Sequence, residues 1–194
     1  MTQPSHIVRL QVITILWMLV ECGIALAASW EARSPVLLAF GSDSLVELLS
    51  AGVVLFQFSP IFTLDVRRAA RWSGVLLLLL AGLVTATSVT ALALKVRPET
   101  SWVGIAITTA ALIVMPVLSR AKRRVAYVID NRALAADAVQ SAMCAYLAAI
   151  SLAGLAANAI FGLHWIDPLA ALIAVPFICI EARRALRGDP CECC

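Results

Sequence analysis

VLLAFGSDSLVELLSAGVVLFQF, residues 36–58, places two carboxylates inside an otherwise apolar run. As a helix the stretch is about 34 Å long, enough to cross the roughly 30 Å hydrocarbon core of a bilayer. Asp43 and Glu47 are then one helical turn apart and share a face. A charge at bilayer centre costs roughly 2.5–3.5 kcal/mol on insertion scales. A neighbouring pair therefore needs protons, hydrogen-bond partners or a cation to neutralise it. Two readings stand: a cation site, or polar glue bonded to Ser and Thr on adjacent helices.

Working outward, five further apolar stretches have spanning length, near residues 9–29, 73–94, 101–119, 133–157 and 165–186. With residues 35–57 they make six. The 194-residue chain is 62% hydrophobic, with a mean hydropathy of +0.94, whereas soluble domains run nearer ~45–50% apolar. The expected fold is an all-α membrane protein, a six-transmembrane-helix bundle. A barrel would instead show alternating strands of about ten residues. One unit, residues 1–188, carries the helices, and residues 189–194 form a Cys-rich tail. The formal charge of +3 is spread over the connections and gives no sign of nucleic-acid binding. With two His and no Gly-rich phosphate loop, equipment for ATP-driven chemistry is not visible.

The basic residues set the orientation. Of the 15 Lys and Arg, all but Arg33, Lys95 and Arg97 fall on the side of the bundle that holds both termini. The positive-inside rule makes that side cytoplasmic. The chain is expected to be a multi-pass protein, of the cytoplasmic or inner membrane if prokaryotic. The longest basic connection, SRAKRRVAYVIDNR at 119–132, is expected to anchor at the lipid headgroups. Residues 1–27 also have the pattern of a cleavable signal peptide, ending Ala25-Leu26-Ala27. Glu21 inside the apolar run, and its continuation to Ala28, favour a retained helix.

A second polar group echoes the first. LAADAVQSAMCAYL, residues 134–147, carries Gln140 and Cys144 one turn apart, with Asp137 a turn before Gln140. Glu21 lies mid-way along the first stretch. Carboxylate, amide oxygen and thiolate sulfur together suit a divalent transition metal. Ionisable groups inside a membrane mark ion paths or proton relays. Asp43, Glu47, Asp137, Gln140 and Cys144 are the candidate metal ligands, with Glu21 a neighbour or proton carrier. Taken singly, Gln140 would be glue and Cys144 a small buried hydrophobe. Cys22 and Cys179 are expected in the core, Asn158 and His164 at the membrane interface, and the small residues of GLVTATSVTALAL, 82–94, at a close helix contact. In the tail, Cys191, Cys193 and Cys194 are candidates for capturing a soft metal; an unstructured end and lipidation are the alternatives. On a reducing, cytoplasmic side they are not expected to form a structural disulfide.

FGSDSLVELLSAGVVLFQF, ADAVQSAMCAYL and WIDPLAALIAV (40–58, 136–147 and 165–175) together resemble the transmembrane domain of the cation diffusion facilitator family. The resemblance covers nearly the whole chain, as a short form without the family's cytoplasmic metal-binding domain. It implies a homodimeric secondary transporter that exports zinc or a related divalent cation in exchange for protons, and it implies no enzyme activity and no prosthetic group. It places one mid-membrane metal between Asp43, Glu47, Gln140 and Cys144. Asp137 would stand in for a carboxylate that the helix 5 pair lacks. The family's usual helix 5 pair is His or Asp followed by Asp, so Gln140 and Cys144 are a departure that favours a thiophilic cation. Two other classes compete: a membrane-embedded metal sensor or assembly subunit that does not transport, and a redox enzyme using Cys144 and the tail thiols. The second has no cofactor motif.

Overall fold

The computed structural model describes residues 3–57, 66–130 and 132–187. These form six helices: α1 (Gln3–Ala32), α2 (Pro35–Gln57), α3 (Val66–Ala93), α4 (Trp102–Ile129), α5 (Arg132–Phe161) and α6 (Ile166–Arg187). The tail cysteines Cys191, Cys193 and Cys194 lie outside the described residues. Among the described residues, four helices contain segments long and apolar enough to cross a membrane, Ile7–Ala32, Gly74–Ala93, Trp102–Ile129 and Asp137–Phe161; the described parts of α2 and α6 are not among them.

The packing is that of a bundle with an apolar outside. Leu16, Leu79, Ile113, Val117 and Ile160 are exposed, while Gln11, Glu21, Glu47, Lys122 and Asp137 are fully buried. A water-soluble bundle has the opposite distribution. With lipid tails around it, the exterior gains nothing from being polar, and the polar groups gather inside where they can pair. On α1 the buried positions Gln11, Thr14, Met18, Glu21 and Ala25 recur every three or four residues, which makes one inward stripe. The chain is a membrane-embedded helical protein.

Neighbouring helices alternate in direction. The end of α1 meets the segment before α4 through the Glu99 N–H, which donates to the Ala32 carbonyl at 2.9 Å. At the same end of the bundle, Asn158 of α5 donates from Nδ2 to the Pro98 carbonyl at 3.1 Å. His164 Nδ1 lies 3.3 Å from that same carbonyl. Asn158, near the end of α5, is thus buried and ties that helix to the connection before α4. At the opposite end, Ile7 of α1 packs with Ala126 of α4 and Leu134 of α5.

Two caps fix the ends of the helices that hold the site. Before α2, the Ser34 hydroxyl accepts from the Leu37 N–H at 3.2 Å. The carboxylate of Asp167, from the first turn of α6, accepts from the Ser34 hydroxyl at 2.5 Å and from the Val36 N–H at 3.2 Å. An anion at a helix N-terminus satisfies free N–H groups and the local dipole at once. Asp167 is fully buried, so this contact sets where α2 begins relative to α6. On α4, Ser101 accepts from the Gly104 N–H at 3.0 Å, and Asp130 closes the helix in the left-handed conformation.

Within the small-residue stretch of α3, Ser88 and Ala91 are buried against the bundle, in line with the expected helix contact, but the glycine there is not the point of close approach. Gly82, in the small-residue stretch of α3, faces open space. The tight approach of α3 is at Gly74, where an added Cβ would lie 2.8–2.9 Å from Leu186 and from the Ala182 carbonyl of α6. The signal in the sequence is the same for both glycines, and only the facing helix distinguishes them. Gly74→Val is expected to push α3 from α6 and destabilise the bundle by about 1–3 kcal/mol. Gly82→Val should leave stability unchanged. Thermal unfolding of the two variants in the same detergent checks this, and equal losses would contradict the assigned packing.

Most of the segment expected as a connection, residues 119–129, is helical. α4 continues to Ile129, about ten residues beyond the expected end of its span. Arg120, Arg123 and Arg124 are exposed, but Ser119, Lys122 and Ala126 are buried. The expected headgroup anchor is therefore half of a helix whose inner face enters the bundle. The reason is periodicity: Met115, Leu118, Lys122 and Ala126 continue one stripe with spacings of three and four.

Candidate cation site

Four helices bring ionisable groups to one interior region. α1 contributes Gln11 and Glu21, α2 contributes Asp43 and Glu47, α4 contributes Lys122, and α5 contributes Asp137, Ser141 and Cys144. All but Asp43 are completely buried, and Asp43 is 5% exposed.

The first half of the site is built on Glu21. Its Oε1 accepts from the Ser44 hydroxyl at 2.6 Å and from the Cys144 thiol at 3.4 Å. Its Oε2 accepts from the Trp17 indole N–H at 2.5 Å. Gly41 makes the first contact reachable, because α1 lies where its Cβ would be: Ala25 and Leu26 come within 3.0 Å of that point. Three uncharged donors surround Glu21, and among the described residues no cation does. Asp43 lies one turn from Glu47, in contact with Cys144 and in the electrostatic field of Glu47, Glu181 and Glu21.

The second half is built on Lys122. Its Nζ lies 2.9 Å from Asp137 Oδ2 and 3.4 Å from Glu47 Oε1. It also donates to the Ser141 hydroxyl at 2.7 Å. That hydroxyl in turn donates to Glu47 Oε1. Gln11 Nε2 donates to Asp137 Oδ2 at 2.9 Å. An ammonium has three protons to donate, and all three of these are directed inward. Side chains on an α-helix tilt towards its N-terminus, so Lys122, about 10 Å from the end of α4, extends towards the middle of the bundle.

The charge balance of the cluster is uneven. Among the described residues, four carboxyl groups, Glu21, Asp43, Glu47 and Asp137, face one buried ammonium, that of Lys122, and a fifth carboxyl, the half-buried Glu181 of α6, adds its charge beside Asp43. Asp43 Oδ2, Glu47 Oε2 and Asp137 Oδ1, like Glu181 Oε2, are buried with no hydrogen-bond partner among the described residues. A buried carboxylate oxygen without a donor is costly. The excess negative charge has to be taken up by protons or by a further cation. Among the described residues, no three His, Cys, Asp or Glu side chains converge as a ready metal cage. The nitrogen that bridges Glu47 and Asp137 in this conformation is that of Lys122.

Of the residues expected from sequence, Glu21, Asp43, Glu47, Asp137 and Cys144 come together. Gln140 does not join them: it is half-buried and makes no hydrogen bond to these acids among the described residues. Its neighbour Ser141 takes the inward position instead. Cys22 is buried and Cys179 packs partly buried against the core, as expected. Lys122, Ser141, Ser44, Gln11 and Glu181 were not anticipated. For Lys122 the signal was present, since it falls on the apolar stripe of α4 while the three nearby arginines fall off it. An open groove of about 270 Å³ at the other end, lined by Leu92, Lys95, Arg97, His164 and Trp165, contains none of the acids.

No family model matches the chain, and no curated protein matches it.

Proposed function

We propose that the chain is a secondary transporter that exports a divalent transition metal, zinc or a similar thiophilic cation, in exchange for protons. The observation that carries this reading is the excess of buried carboxylates over buried cations among the described residues of the bundle interior, with four carboxylate oxygens, one each on Asp43, Glu47, Asp137 and Glu181, unpartnered there. Such groups are expensive in a membrane and mark ion pathways. Protons and a metal ion are alternative ways of neutralising the same acids, which is the chemical basis of exchange. The Cys144 sulfur beside Glu21 and Asp43 supplies the soft donor. On this reading all six helices span the membrane, both termini are cytoplasmic, and the working unit is the homodimer implied by the resemblance to cation diffusion facilitators.

One observation favours a second reading. Lys122 already neutralises Glu47 and Asp137 in part, and a fully buried ion-pair network also suits a static role. The chain would then be a membrane-embedded metal sensor or assembly subunit that does not transport. The test is reconstitution into sealed liposomes with zinc, cadmium and cobalt supplied outside and a metal-sensitive dye inside. Net flux of any of them supports the transporter. Saturable binding with no flux for all three supports the sensor.

A further inference from the structure

We propose that Lys122 is a tethered cation that competes with the metal cargo for Glu47 and Asp137, so that its ammonium must leave both carboxylates before a metal ion can hold them. This rests on the reading of the acid cluster as a cation site, and adds the residue that sets how tightly that site holds its cargo. The geometry is specific. Lys122 Nζ stands between Asp137 Oδ2 at 2.9 Å and Glu47 Oε1 at 3.4 Å, on two different helices. It is therefore where a cation bridging α2 and α5 would stand. Two cations cannot occupy this position together, by size and by repulsion.

The helix that carries Lys122 matters as well. α4 supplies none of the four clustered acids. A lysine there can withdraw without dragging a ligand with it. Its side chain is a flexible stem of four carbons ending in a compact point charge. The groups around it offer an exchange of partners: Glu47 Oε2 and Asp137 Oδ1 are buried and, among the described residues, still unbonded. Ser141 links the two ends, accepting from Lys122 and donating to Glu47, so movement of one is felt by the other. A purely structural ion pair would hold the acids for stability. A competitor holds them against the metal, and the two roles have opposite signs in a binding measurement.

The experiment measures zinc affinity of the purified full chain in nanodiscs, by competition with a fluorescent chelator. Four proteins are compared: wild type, Lys122→Met, Asp137→Asn and Lys122→Met/Asp137→Asn. Lys122→Met is expected to bind zinc at least about tenfold tighter than wild type, one order of magnitude corresponding to the loss of one close like charge. If Lys122→Met is not monodisperse, the double variant carries the test. It removes the ion pair as a unit, and is expected to bind zinc tighter than Asp137→Asn alone. Wild-type binding with no tightening in either comparison would overturn the proposal and leave the cation-site reading standing. No zinc binding by any folded variant or by wild type would overturn the cation-site reading and this proposal with it.

Discussion

Glu47→Ala is expected to reduce metal flux to the level of empty vesicles while the protein still inserts and folds. Both halves of that expectation come from the geometry. Glu47 supplies a buried oxygen with no partner, Oε2, and is the acid that connects the Asp43 side of the cluster with the Lys122 side. Without it, Asp43 loses its nearest like charge and the site loses a carboxylate at mid-helix. Folding should survive because Lys122 keeps its shorter contact, to Asp137 at 2.9 Å, and its bond to Ser141. Asp43→Ala should give the same loss of flux. It removes a buried acid that is paired with no cation among the described residues, so its effect on stability should be small or favourable. Flux and thermal unfolding measured on the same preparations separate the two effects. Normal flux in both variants would remove the acids from the transport site.

Asp137→Leu is expected to have the largest effect on stability. It leaves the buried ammonium of Lys122 with one carboxylate, at the longer distance of 3.4 Å, and leaves the Gln11 amide without its acceptor. Removing one partner of a buried ion pair costs about 3–5 kcal/mol. Replacing both partners by apolar residues is often neutral. Lys122→Met/Asp137→Leu should therefore regain most of the stability that Asp137→Leu loses. Thermal unfolding followed by circular dichroism in a single detergent checks this. Equal instability of the single and double variants would mean that Lys122 and Asp137 do not act as a pair.

Much of the architecture was legible because bilayer physics is simple. The apolar stretches correspond to six helices, four of which are long and apolar enough, among the described residues, to cross a membrane, and the spacing of polar residues placed Glu21, Asp43, Glu47, Asp137 and Cys144 in the interior. What sequence reading missed was which basic residue turns inward. Composition treats Lys122 as one of a cluster of cytoplasmic charges with Arg120, Arg123 and Arg124. Its position on the stripe Met115, Leu118, Lys122, Ala126 is decisive, and that stripe has meaning only once α4 is known to continue past residue 119. Gln140 and Ser141 show a different limit. Both are near the inward direction set by Asp137 and Cys144, and the choice between them depends on where Lys122 arrives from α4. The role of Asp167 was also hidden, because a cap that joins α6 to the start of α2 leaves no local signature beyond an acid in a first turn.

The most direct test of metal–proton exchange follows zinc and protons together. Wild type and Glu47→Ala would be reconstituted into sealed liposomes with an acidic interior, with one dye reporting luminal zinc and another luminal pH. For wild type the account expects zinc to enter only while the gradient lasts, and the luminal pH to rise faster in proportion to the zinc that enters. Neither signal should appear with Glu47→Ala. Zinc entry indifferent to the gradient, or unchanged in Glu47→Ala, would contradict exchange through the buried acids.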